Sequence, residues 1–448
     1  MKRKLILLLL VLTKVGIAQE TKKSYDFTLK EAITHALENN YTAINASRDI
    51  EAAKKKKWET TTIGLPQINS NINYQNNLVI QKSVVPAEFF GGNPGEFQEV
   101  EFGVKNNMTA SASLSQLLFD GSYLVGLQSA KVYLQISQNA KEKTELEIRE
   151  IVINAYGNVL LARESVKVLE NNKKSLEKTL FETQETFKNG LIEEENVEQL
   201  QITFSQIKSM LSNAQKRETI ALKMLKLVLG IDMQKEVTLK DNLDQLALEN
   251  IVLNSSSEFS VTNSIDYKIG QNNEEASRLL LKLEKSKALP SLSANANFGY
   301  NSFSNTFSFL ERDQQWFNFS NIGVGLNIPI FSSLGRTART QQAKIAYEQA
   351  KTQLKETEQK LLLEFEKSKT DYEFSVEQYL VSKENLRLAE RIENKQQIKF
   401  KEGISSSFEF TEAQRQLYAA QQDYLQSMLN ILIKRIDLEA LINPPHNN

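Results

Sequence analysis

Two stretches of the chain alternate apolar and polar residues in the same way: LPQINSNINY from Leu65 and LPSLSANANF from Leu289. In the first, Ile68, Ser70, Ile72 and Tyr74 fall on one face and Gln67, Asn69, Asn71 and Asn73 on the other. In the second, Leu292, Ala294, Ala296, Phe298 and Tyr300 oppose Ser291, Ser293, Asn295, Asn297 and Gly299. A period of two predicts strands. Each has a partner of the same kind. Along 108–118, Met108, Ala110, Ala112 and Leu114 oppose Thr109, Ser111, Ser113 and Ser115. Along 322–330, Ile322, Val324, Leu326, Ile328 and Ile330 oppose Gly323, Gly325, Asn327 and Pro329. Two strand hairpins follow, over 66–118 and 290–331.

Elsewhere the period is helical. Ile148, Val152, Ala155, Val159, Val166, Leu169, Leu176, Leu180 and Phe187 recur at threes, fours and sevens, the seam of a coiled coil. The helix this predicts over 124–188, at about 1.5 Å per residue, is about 100 Å long. Leu354, Leu361, Phe365, Tyr372, Val376 and Tyr379 repeat the seam over roughly 337–401. These stretches end at FKNGL (187–191) and FKEGI (400–404), where Gly190 and Gly403 suit a helix terminus. Further helical stretches close at LVLGI and ALIN, which completes helical hairpins over 124–229 and 337–442. One sequence offset separates both Gly190 from Gly403 and Gly230 from Asn443, the mark of an internal duplication. The expected organisation is a repeat over 19–231, a polar linker over 232–264, a second repeat over 265–443 and a tail over 444–448.

Charge and composition exclude several classes. With 54 basic and 55 acidic residues the net charge is -1, so nothing draws the chain to nucleic acid. Cysteine is absent, which excludes disulfides, thiol catalysis and Cys-ligated metals. The two histidines are His35 in the opening helix and His446 in the tail. No triad, phosphate loop or metal-ligand spacing accompanies them, so neither an enzyme, a cofactor nor a metal site is expected. Seven prolines and 17 glycines are too few for a sandwich with many turns.

The first residues predict export. MKRK, the apolar run LILLLLVL and the small-residue site Gly16-Ile17-Ala18 form a secretory signal over 1–18. Its run is shorter than the roughly 20 residues of a membrane-spanning helix. No cysteine follows for a lipid anchor. An exported chain of this kind enters a membrane only as strands. The alternating segments approach the roughly 9–11 residues that cross a bilayer as tilted strand. Their polar faces are small and uncharged, as a pore lining is. Aromatics at their ends (Tyr74, Phe119, Phe298, Tyr300, Phe317, Phe319 and Phe331) fit an interfacial girdle. Asn69, Asn71, Asn73, Asn295 and Asn297 are thereby expected in the lumen, and Ile72, Ala294, Val324 and Leu326 against lipid. Four strands leave a barrel open. Eight from two protomers make a filled interior, and twelve from three leave a lumen. A soluble periplasmic coiled-coil scaffold is the alternative; it accounts for the helices but not for the alternating strands.

The opening FTLKEAITHALENN (27–40), the two Leu-Pro strands, the LFDG turn (118–121) and the paired FKxG tips together resemble the TolC family of outer-membrane efflux and secretion channels. The resemblance spans essentially the whole mature chain. It implies a mostly α fold with a membrane β-barrel: a homotrimer with a twelve-stranded barrel in the outer membrane and a helical tunnel of about 100 Å in the periplasm. It also implies the exit duct of a tripartite efflux or type I secretion system, docked to a periplasmic adaptor and served by an inner-membrane transporter. On this resemblance the tips Asn189-Gly190-Leu191 and Glu402-Gly403-Ile404 contact the adaptor. Acidic residues six and nine positions past the second tip glycine ring the periplasmic mouth; here they are Glu409 and Glu412, followed by Ala413. The first repeat carries Asn196 and Gln199 at those offsets, then Leu200. Two departures concern loops: FSSLG stands in the second repeat where the first has FDG, and the 81–105 loop is long and rich in Gly and Phe.

Overall fold

The computed structural model describes residues 25–251 and 259–442. The signal segment and the tail lie outside the described residues. In chain order the elements are β1 (Tyr25–Phe27), α1 (Leu29–Asn39), α2 (Tyr41–Thr62), β2 (Gln67–Asn76), β3 (Lys82–Pro86), β4 (Phe97–Glu101), β5 (Asn106–Phe119), α3 (Gly121–Lys188) and α4 (Glu194–Val228). There follow β6 (Val237–Leu239), α5 (Leu243–Glu249), α6 (Ile265–Ser286), β7 (Ser291–Ser304), β8 (Phe317–Asn327), α7 (Gly335–Lys401) and α8 (Ser407–Ile442). The helical hairpins are thus α3–α4 and α7–α8, one per repeat. The chain forms two compact units.

The helical unit takes in the residues up to Arg48, Asn139–Lys268 and the chain from Thr357. The seam positions Ile148, Val152 and Val159 are buried with Leu225 of α4 and Met428 and Ile431 of α8. A second cluster joins Leu169, Leu176 and Leu180 of α3 to Leu200 and Ile207 of α4 and Phe410 of α8. In the second repeat Leu361, Tyr372 and Tyr379 are buried, as their spacing predicts. The opening helix starts later than expected, because Tyr25–Phe27 is a strand that pairs in parallel with β6. Thr28 then caps α1 through a capping box with Glu31. The stretch 232–264 is likewise more than a linker: it contributes β6 and α5, whose Leu243 and Ala247 enter the core. Tyr156 ties this corner together. Its hydroxyl hydrogen-bonds the Phe27 carbonyl and Asp241 Oδ2, both at 2.9 Å, and Asp241 also accepts from the Leu29 N–H. His35 of α1 is half-buried, its ring against Tyr25 and Phe27.

The sheet unit comprises Asp49–Gln138 and Ile269–Glu356. Its four long strands run in the order β2-β5-β7-β8, all antiparallel, so the two repeats meet at β5 and β7. Among the described residues β2 and β8 each pair along one side only. The last strand is displaced from its expected range: it begins at Phe317 and ends at Asn327. Ile328, Pro329 and Ile330 therefore lie past its end, and Pro329 has no N–H to offer a ladder. The 81–105 loop holds a separate hairpin of β3 and β4.

Candidate functional site

The strand register gathers the polar residues onto one face. Residues directly opposite on paired strands share a face. One row reads Asn69, Ser113, Asn297, Asn321; the next reads Gln67, Ser115, Asn295, Gly323. Asn71 faces Ser111 and Asn73 faces Thr109. All five asparagines expected in a lumen thus share a face, with Asn297 Nδ2 donating to Asn321 Oδ1 at 2.9 Å. No charged side chain interrupts these rows. The opposite face carries the row Ile68, Leu114, Ala296, Ile322 and the pairs Ala294–Val324 and Leu292–Leu326. Ile68, Ile72, Val324 and Leu326 are exposed, and Ile322 is 86 % exposed. The aromatics divide between the faces. Tyr74, Phe298 and Tyr300 lie on the apolar face, but Phe317 pairs with Asn301 and Phe319 with Gly299, which puts both on the polar face. The expectation that Phe317 and Phe319 belong to an outward girdle is corrected by that register.

The two helical tips are built alike. Gly190 and Gly403 have φ of 72° and 71°, the left-handed conformation that glycine adopts without strain. At the first tip the Gly190 N–H donates to the Phe187 carbonyl and the Leu191 N–H to the Thr186 carbonyl. At the second, Gly403 donates to Phe400 and Ile404 to Lys399. Both are Schellman closures, in which the residue after the glycine usually packs back on the helix. Leu191 and Ile404 instead remain 74 % and 76 % exposed. Asn189 is tied down, its backbone and side chain both donating to the Glu185 carbonyl. Glu402 closes α7 through its N–H to the Ile398 carbonyl.

The acidic pair past the second tip is held by local partners. Glu409 forms a capping box with Ser406: its carboxylate accepts from the Ser406 N–H at 3.0 Å, and its own N–H donates to Ser406 Oγ at 3.3 Å. The Ser405 hydroxyl also donates to it at 2.8 Å. These bonds, led by the Ser405 hydroxyl, hold the Glu409 carboxyl below the ordinary carboxylate range. Glu412 is gripped by Arg415 in a two-pronged contact at 2.8 and 2.9 Å, which lowers its pKa as well. Asn196 of the first repeat accepts from the Ser407 N–H at 3.3 Å and so bonds α4 to the start of α8. Gln199 shares a cavity of about 380 Å³ with Phe408, Thr411, Glu412 and Arg415. The four residues are therefore neighbours, although two of them come from each repeat.

Sequence reasoning missed Arg415, Ser405 and Glu393. The Arg415 partnership was legible as an i,i+3 pair and the Ser406 cap as Ser-x-x-Glu, whereas Glu393 has no local signal. Burial raises the pKa of Glu393. Gln414 is buried, with its Oε1 unpartnered.

Comparison with known proteins agrees with this architecture. The profile of the family described as Outer membrane efflux protein matches residues 32–231 and 263–444. Outer membrane protein TolC of Vibrio cholerae is 22 % identical over 321 residues, which cover 71 % of this chain and 68 % of that protein. Among solved structures, CusC superposes with a TM-score of 0.72 at 17 % identity, over 93 % of this chain and 92 % of that one. The Campylobacter jejuni CmeC outer membrane channel gives 0.73 at 17 % identity, over 93 % and 85 %. These structures share the fold, and the profile covers nearly all of both repeats. The chain belongs to the outer membrane efflux protein family, whose members are channels of the outer membrane that reach into the periplasm and are not enzymes.

Proposed function

We propose that three copies of this chain close a twelve-stranded barrel and form the passive exit duct of a tripartite efflux or type I secretion system. The observation that carries the reading is the four-stranded sheet. Among the described residues it has two unpaired edges, one uncharged polar face and one exposed apolar face. In lipid such edges require partners, and other copies supply them. Twelve strands are the smallest multiple of four that leaves a lumen, and the asparagine face lines it. A soluble scaffold would leave Ile68, Ile72, Ile322 and Val324 facing water in one contiguous patch. A groove of about 790 Å³ between α3 and α4, lined by Ile151, Ala155, Met210, Ile220 and Met224, offers a seat for a neighbouring protomer. Substrate arrives from an inner-membrane transporter through a periplasmic adaptor, which seats on the tips at Leu191 and Ile404.

Glu409 and Glu412 gate the periplasmic mouth with Asn196 and Gln199. Because Arg415 neutralises Glu412, Glu409 contributes most of the negative charge. The test is conductance of the purified protein in a planar bilayer, with cation selectivity and block by a trivalent cation from the periplasmic side expected. Glu409→Gln with Glu412→Gln weakens both, and Arg415→Ala strengthens cation selectivity. Unchanged selectivity and block in the double variant would move the gate elsewhere, and a chain that never conducts would remove the channel.

A further inference from the structure

The aromatic residues at the loop-bearing end of the sheet serve two different faces. Tyr74 pairs with Met108, and Met108 with Ser302, on the apolar face. The 305–316 loop folds over that face. Phe307 and Phe309 sit edge-on to Tyr74 at 5.5 and 5.9 Å, and Trp316 edge-on to Phe309 at 6.5 Å. Buried Ser302 holds the loop there: its hydroxyl donates to the Gln315 carbonyl and accepts from Gln314 Nε2, both at 2.7 Å.

Phe303, Phe317 and Phe319 lie on the other side. They pair with Asn107, Asn301 and Gly299, in line with Asn297 and Asn321. Phe319 fills the space above Gly299, where an added Cβ would meet its ring at 2.6 Å. The rings of Phe303 and Phe317 are 6.2 Å apart and about half exposed. The 305–316 loop is bonded to the opposite face. A strip of Asn, Ser, Thr and Gly therefore ends in two open phenylalanine rings, Phe303 and Phe317, beside the partly buried Phe319.

We propose that Phe303, Phe317 and Phe319 form an aromatic collar inside the outward mouth of the pore, which slows aromatic permeants by stacking and so helps to set what passes. The proposal rests on the channel reading. Nine rings from three copies would surround the mouth, and the six of Phe303 and Phe317 each offer a face to a planar or cationic aromatic molecule.

The test uses the full-length protein in a planar bilayer, with tetraphenylphosphonium and tetrabutylammonium as probes. Both are monovalent organic cations, but only the first carries rings. Tetraphenylphosphonium should dwell in the wild-type pore about tenfold longer, the size of effect that one to two stacking contacts give. Phe303→Leu with Phe317→Leu keeps apolar volume and assembly but removes the rings. It should shorten the tetraphenylphosphonium dwell time severalfold and leave that of tetrabutylammonium unchanged. Equal dwell of the two probes in the wild type, or an unaltered tetraphenylphosphonium dwell in the variant, overturns the collar while ionic conductance upholds the channel. Absence of conductance overturns both.

Discussion

At the scale of single residues, the α7–α8 hairpin carries two carboxyls near its tip with opposite responses to pH. Glu393 is penalised by burial, so its folded-state pKa lies above its unfolded value. The folded state then holds the proton more tightly, and stability is full below the ordinary carboxylate range and falls as pH rises through the folded value. Glu393→Gln should therefore raise the thermal midpoint at pH 7, with the gain disappearing below about pH 4. An equal gain at both pH values would show that charge is not the cause. Glu409 behaves the other way: its pKa is depressed, so the cap it forms on α8 is present above the ordinary carboxylate range and is lost as pH falls through the depressed value. The cap could be read in sequence as Ser406-x-x-Glu409. The burial of Glu393 could not, because it depends on the approach of α8 to α7 and not on neighbours in the chain.

At the scale of elements, the helices were the most legible part. A seam residue recurs every three or four positions, and Val152, Val159 and Leu176 are fully buried where the spacing put them. The small parallel pair of β1 and β6 left no such trace, because strands of three residues hold less than two periods. What fixes them is Tyr156. Tyr156→Phe leaves the Phe27 carbonyl without that donor and removes one of the two donors to Asp241, at a cost of about 1–3 kcal/mol in unfolding free energy. Chemical denaturation monitored by circular dichroism measures it, and no change would mean that water replaces the hydroxyl. The tips make a second prediction at this scale. Both glycine closures bond the helix end and leave an apolar side chain outside. Leu191→Asp with Ile404→Asp should abolish export in cells while the assembled protein still migrates as in the wild type on a native gel. Normal export would remove the docking role.

At the scale of the whole molecule, strand alternation made the two faces legible, and register refined them. Carrying the two-residue period of Ile322, Val324 and Leu326 back past the expected strand start places Phe317 and Phe319 with the asparagines, where the structure has them. Position at a strand end had suggested the girdle; parity decides the face. The faces differ in what they tolerate. An arginine at mid-membrane on the lipid side costs about 2–4 kcal/mol, whereas one in the lumen stays solvated. Val324→Arg should lower the yield of heat-modifiable assembled protein, and Asn297→Arg should not. Equal yields would reverse or cancel the face assignment.

If three copies close the barrel as proposed, the open edges of β2 and β8 also set the kinetics of maturation. Among the described residues no strand pairs with the outer sides of β2 and β8, so in the proposed trimer the final backbone hydrogen bonds form in encounters between chains. Completion of the sheet is then of higher than first order, and dilution prolongs the life of the intermediate. That intermediate carries two ready templates for strand addition, the feature that makes sheet edges prone to wrong pairing. Local abundance at the membrane thus governs how long each newly exported chain is at risk.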